Sequence, residues 1–312
     1  TSLELNVGGF FNAFHLHPDA LLVSQHARDE LNAKLNAAGV EITALNCSGN
    51  PLHPDREVGP KHASDLHRAI VLASRIGVPV VVAQSGNPGA DAQAALPSWV
   101  VSPWDSAYSD ALDYQWGLAA TYWKTTAKIA EEHGIRVAVE MHPHQLVYNP
   151  PTLERLIEVA DSEAIGCEMD PSHLFWQGID PILTIERFGD RVFISAAKDT
   201  VIHEENLRRN GFLNNLWRRN EGPTRLGIGG RYSVNDYPED ASYEFVAIGR
   251  GHDENFWADW LAALYRVNQD MAVNIEHEDV SLGGVEGLAV AAKCLRNAAG
   301  IAGVTFEGTA NA

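Results

Sequence analysis

Seven short runs rich in β-branched residues recur along the chain: Leu3–Val7, Val40–Leu45, Val78–Ala83, Arg136–Met141, Ala164–Met169, Val192–Ala197 and Met271–Ile275. Helical patterns separate most of them. His62–Ile76 keeps apolar residues at three- and four-residue spacing and stops at Gly77, and Ser109–His133 stops at Gly134. A further helix starts near Pro151, Glu254–Val267 is amphipathic and rich in Trp, and Val285–Ala299 forms the last helical pattern. Strands that alternate with helices are joined by crossovers, so the sheet they build is parallel. An eight-stranded barrel and an open doubly wound sheet both satisfy that pattern. The open sheet is disfavoured because no early GxGxxG stands between a strand and a helix.

Three runs end in a carboxylate: Val139-Glu140, Met169-Asp170 and Ile275-Glu276. In a barrel the strand C-termini converge on the face where active sites lie. Acids brought together there repel, so a positive charge is required among them, and a divalent metal is the natural candidate. One acid alone would cap a following turn, as Asp170-Pro171-Ser172 suggests. Three at equivalent positions point instead to a site. The fold expected is α/β, a (β/α)8 barrel. Only seven strands are counted, and the chain opens almost directly in a strand, so the first βα unit reads as missing or atypical. Residues 1–312 are expected to form one domain, with a long polar loop insertion at about 201–250.

Composition narrows the function. The 312 residues include 23 basic and 41 acidic ones, a net charge of −18, which argues against nucleic acid as a partner. There is no run of about 18 apolar residues and no secretory signal pattern, so neither a membrane span nor export is expected. Cys47, Cys167 and Cys294 form no paired motif, which suits a reducing, cytoplasmic setting.

Oxygen-rich ligation favours a hard ion over zinc. Such an ion polarises a carbonyl while a neighbouring carboxylate removes the adjacent proton, which is enolisation. His142, His144, His173 and His277 cluster at the same strand ends, and His252 can be brought in by a loop. Lys198, beside Asp199, reads either as an ordinary ion pair or as a contact for a developing oxyanion.

These residues sit in recognisable segments: Asn50-Pro51-Leu52-His53-Pro54, Val139-Glu140-Met141-His142-Pro143, Asp170-Pro171-Ser172-His173-Leu174, Ala197-Lys198-Asp199-Thr200, Gly251-His252-Asp253 and Ile275-Glu276-His277-Glu278-Asp279. In these the chain resembles the xylose-isomerase-like barrels, specifically the sugar phosphate isomerase/epimerase group. The resemblance implies a divalent metal, manganese foremost with magnesium or cobalt as alternatives, held by Glu140, Asp170 and Glu276. It makes His173 a substrate-contacting residue, with His53 and His252 as further substrate contacts. Glu140, Glu276, His142, His144 and Lys198 are the candidate catalytic residues. One ligand departs from the family pattern: Ala196 stands where a metal-binding histidine is expected.

The resulting expectation is a metal-dependent isomerase or epimerase of a sugar or keto-sugar. The runner-up is a lyase that cleaves 3-oxo-C-glycosides, as in the deglycosidase catalytic subunits of this superfamily. The third reading is a degenerate, non-catalytic barrel. A sugar or glycoside is the expected small-molecule partner. A homo-oligomer or a small partner subunit stays open.

Overall fold

The computed structural model describes residues 2–223 and 225–305, which divide into two compact units. The first comprises residues 2–168 with 226–233, and the second comprises 169–225 with the chain from Val234 onward.

In the first unit, β1 (Ser2–Asn6), β2 (Glu41–Asn46), β3 (Val80–Gln84), β4 (Arg136–Glu140) and β5 (Ile165–Met169) pair in sequence order, every neighbouring pair parallel. The helices are α1 (Pro18–Val23), α2 (Gln25–Ala38), α3 (Val58–Ile76), α4 (Ser106–His133) and α5 (Pro150–Ala160). Strands β3 and β5 are buried along their whole length, which explains their continuous apolar runs. Gly77 and Gly134 end α3 and α4 in the left-handed region, where the absence of a Cβ removes the steric cost. Asn149 caps α5 in a reciprocal capping box with Thr152. The count of seven parallel strands stands, five of them in this unit and two in the other. β1 leads through α1 and α2 into its parallel neighbour β2, a full βαβ unit. Its helices escaped notice because α2 is polar, with no buried residue.

In the second unit, β6 (Val192–Ala197) is buried throughout and pairs parallel with β9 (Val273–Ile275). Between them run β7 (Asp199–Ile202) and β8 (Tyr243–Val246), an antiparallel pair. The helices are α6 (Ser172–Phe175), α7 (Pro181–Phe188), α8 (Glu204–Asn210), α9 (Glu254–Val267) and α10 (Gly284–Ala302). Helices α9 and α10 pack together, and Trp257 and Trp260 of α9 are fully buried. The stretch expected to be loop at about 201–250 therefore holds regular structure. Beyond α8 and β8 it contains two small two-stranded ladders, one of them lying in the first unit. Among the described residues no helix is long and apolar enough to cross a membrane.

Candidate active site

In the second unit the acids at the strand ends gather around an ammonium. Lys198 follows β6 and is 2% exposed. Its Nζ lies 3.1 Å from Asp170 Oδ2, 2.8 Å from Glu276 Oε2 and 3.3 Å from Glu278 Oε1. The Phe245 ring of β8 closes the fourth side, 5.1 Å from Nζ. The positive charge demanded among the acids is thus supplied, within this unit, by a side chain of the chain itself. Three carboxylates converge on one lysine.

Asp170 serves two purposes, one with each oxygen. Oδ1 accepts the Ser172 N–H at 2.8 Å, the turn cap that the sequence suggests. Oδ2 is buried and accepts no hydrogen bond of good geometry, but faces Lys198 and lies 3.4 Å from His173 Nε2. His173 is itself buried and packs edge-on against Phe245 at 5.2 Å. Glu276 is more accessible than Asp170, its side chain 31% exposed, because β9 is short and half-buried.

Ala196 is buried in β6 and stands in register with Asn274 of β9. It offers a methyl group where a histidine is expected. His252 does not fill that place with Nδ1, because this atom meets Asp199 Oδ1 at 2.7 Å. Asp199 is fully buried and holds the loop before α9 rigidly. Its Oδ2 accepts the backbone N–H groups of Gly249, Gly251 and His252, each at 3.0 Å. The His252 ring also stacks on Phe175, centroids 3.8 Å apart. A carboxylate at Nδ1 fixes the tautomer and presents Nε2 as a proton acceptor. The Asp199–His252 pair has a sequence signal only in hindsight, since its members lie far apart in the chain. Asp279, next to Glu278, is likewise structural in its contacts. Burial would raise its pKa, but hydrogen bonds from Ser281, the Ala247 N–H and Arg250 outweigh that and hold it below the usual carboxylate range.

In the first unit, Glu140 closes β4, buried, and accepts a 2.7 Å hydrogen bond from Gln84 Nε2 at the end of β3. Gln84 was missed by the sequence reading. A glutamine after an all-apolar strand carries no motif, although its register partner is Glu140. His142 Nδ1 lies 2.6 Å from the Pro143 carbonyl oxygen, which can only accept, so Nδ1 carries the proton and Nε2 is the basic nitrogen. His144 adopts a left-handed backbone (φ 62°) and packs on Trp99 at 4.8 Å. His53 accepts the Asp55 N–H with Nδ1, and burial lowers its pKa. His62, not singled out by sequence, is buried in α3 and accepts the Asn50 N–H with Nδ1. Burial, with the charge of Lys61, lowers its pKa to about 4. All three cysteines are free and buried.

Comparison with known proteins places the fold. A family model for the xylose isomerase-like TIM barrel matches residues 4–298. The uncharacterized protein YfiH of Bacillus subtilis (strain 168) is 32% identical over 299 residues, 95% of this chain and 90% of that protein. An inosose dehydratase of Geobacillus kaustophilus is 23% identical over 173 residues, 55% of this chain and 52% of that one. Three solved structures share the fold. A xylose isomerase domain protein from Planctomyces limnophilus has a TM-score of 0.61 at 15% identity, covering 97% of this chain and 98% of that one. The IOLI protein with a bound zinc atom has a TM-score of 0.59 at 14% identity, covering 98% and 89%. A D-tagatose 3-epimerase-like protein has a TM-score of 0.59 at 17% identity, covering 97% and 89%. With its family model matched over nearly its whole length and its parallel strands ending in acids, the chain belongs to the xylose isomerase-like TIM barrel family.

Proposed function

We propose that the protein is a divalent-metal-dependent isomerase or epimerase of a sugar or keto-sugar that works by removing a proton beside a carbonyl. The observation that carries this reading is the grouping of Asp170, Glu276, Glu278 and His173 around Lys198. Family neighbours named as an epimerase-like protein and a dehydratase support the substrate class, since both names describe sugar or cyclitol chemistry that starts from a carbon acid.

The donor set fits a metal ion. Asp170 Oδ2 is a buried carboxylate oxygen without a hydrogen bond, and Glu276 adds a second carboxylate. Such oxygens suit manganese or magnesium, and an added imidazole suits zinc, which a structural neighbour holds. Glu140 joins this set on the family pattern alone. A bound ion would polarise the substrate carbonyl. The chain's own residues do the rest. Glu276, within reach of Lys198 and more accessible than Asp170, takes the proton from the carbon next to the carbonyl. Lys198 donates to the oxygen on which negative charge develops, in a buried site where such a contact is strong. His173, beside Asp170, donates to a substrate hydroxyl. His252, oriented by Asp199, is the candidate for returning a proton.

The inosose dehydratase relative favours a second outcome from the same first step, elimination of a group β to the carbonyl. The lyase reading is this case, with a glycosidic leaving group. Product analysis separates the two. Incubation with a 3-keto-glucoside is expected to yield a rearranged sugar of unchanged mass. An unsaturated product with a released group would replace isomerisation by elimination, and no turnover in manganese, magnesium or zinc would contradict both.

A further inference from the structure

The segments after β3 and β4, both in the first unit, enclose a cavity of about 270 Å³ lined by Trp99, Trp116, Tyr148, Asn87, Gln145 and Arg155, among others. This is the strand-end side of that unit, the side on which Glu140 stands. The walls are pinned by hydrogen bonds. Ser98 N–H donates to the Pro88 carbonyl at 2.9 Å, and Gln115 Nε2 donates to Pro88 and Ser98 carbonyls at 3.2 and 2.6 Å. Leu146 N–H reaches the Gly86 carbonyl at 3.0 Å, and Val147 N–H reaches Ser85 Oγ at 2.9 Å. Gly86 is required at its bend, because its φ is +82° and a Cβ there would meet Leu52 at 2.9 Å. The Trp99 ring stands edge-on to Tyr148 at 5.4 Å. The cavity is therefore built in advance of any ligand.

Three buried polar atoms of its lining residues are unsatisfied. Asn87 is 3% exposed and Gln145 5% exposed, yet Asn87 Oδ1, Gln145 Oε1 and Trp99 Nε1 are buried without a hydrogen-bond partner. Leaving such groups unmade is costly, and folded proteins answer them with water or a ligand. The volume corresponds to about nine waters, but indole and phenol walls give water few partners. A ring bearing two or more hydroxyls satisfies all three atoms, because each O–H donates to one amide oxygen and a hydroxyl oxygen accepts from the indole N–H. The named aromatic walls offer a ring-shaped ligand surface to pack on. Among the named lining residues only Arg155 is charged, and its guanidinium already lies 4.5 Å over Trp116.

We infer that this cavity binds an uncharged, hydroxyl-bearing ring of monosaccharide size, stacked against Trp99 and Tyr148 and hydrogen-bonded by Asn87 and Gln145. The substrate class that follows is a glycoside, with a second ring beside the sugar that is turned over. That attachment rests on the function proposed above, whereas the affinity of the cavity for such a ring does not.

Calorimetric titration tests it with three probes: phenyl β-D-glucoside, methyl β-D-glucoside and glucose 6-phosphate. The intact protein is expected to bind both uncharged glycosides more tightly than the phosphate ester. Trp99→Leu should weaken glycoside binding roughly tenfold, the loss of one ring contact, with partial recovery in Trp99→Phe. Gln145→Leu, which keeps size but removes the acceptor, should weaken it as well. Trp99 is only half-buried, so that variant carries the test even if Gln145→Leu does not fold. Absence of glycoside binding, preference for the phosphate ester, or binding unchanged in Trp99→Leu would overturn the inference. Glycoside binding with no turnover of a 3-keto-glucoside would sustain it while contradicting the function proposed above.

Discussion

Lys198 holds one positive charge against three carboxylates, two of its contacts being under 3.2 Å. Removing it leaves the buried Asp170 facing Glu276 with no ammonium between them. Lys198→Met is expected to lose about 3–5 kcal/mol of stability, as when one partner of a buried ion pair is deleted, and denaturant titration checks this. His62 gives a separate, pH-dependent test. Its pKa falls from 6.5 in the unfolded chain to about 4 in the folded one. The unfolded state therefore takes up the proton first. Stability from this group is complete above pH 6.5 and is lost as pH falls toward 4. Melting curves across that window should fall for the natural chain, and His62→Gln should flatten the fall. An equal fall in both would place the acid sensitivity elsewhere. The residue types of the site were legible because strand-end acids and the Asp170–His173 segment are local signals. The partner of each was not. Lys198 lies beside Asp199 in sequence, but it contacts Asp170, Glu276 and Glu278 in space, and Asp199 turns to His252.

At the scale of elements, the parallel strands were legible because buried strands need largely apolar runs, and each of the seven runs overlaps a strand of the structure. The polar helix α2 and the β7–β8 pair were not. α2 has no apolar face for the core to demand, and β8 carries exposed Glu244 and half-buried Phe245 between buried Tyr243 and Val246. The antiparallel partner of β8 is what defines it, and that pairing is non-local. The loop after β8 is held by close backbone approach. A Cβ at Gly251 would lie 2.3 Å from the Thr200 carbonyl oxygen and 2.6 Å from Asp199 Oδ1. Gly251→Ala must displace the loop from β7 and pull His252 off Asp199. It is expected to cost about 1–3 kcal/mol. Its turnover should fall further than that of a control, Gly303→Ala, whose Cβ has open space although its φ is +68°. Equal turnover in the two would remove His252 from the catalytic account.

For the whole molecule, the net charge of −18 opposes the binding of phosphate-rich polymers. The metal proposed for Asp170 and Glu276 would stabilise the folded state by mass action. Protein stripped with a chelator should melt at a lower temperature, and manganese should restore it in the natural chain but not in Asp170→Asn. A melting temperature indifferent to both treatments would leave Lys198 as the whole counter-charge of the acids. The most direct test of the central claim, that Glu276 removes a proton beside a carbonyl in a site charged by Lys198, is deuterium exchange from solvent. A 3-keto-glucoside incubated with the metal-loaded protein in heavy water is expected to gain deuterium at the carbon next to its carbonyl. Glu276→Gln, an isosteric change at a half-exposed side chain, should slow that exchange by about 100-fold or more. Exchange at the natural rate in Glu276→Gln, with the variant folded, would contradict the account.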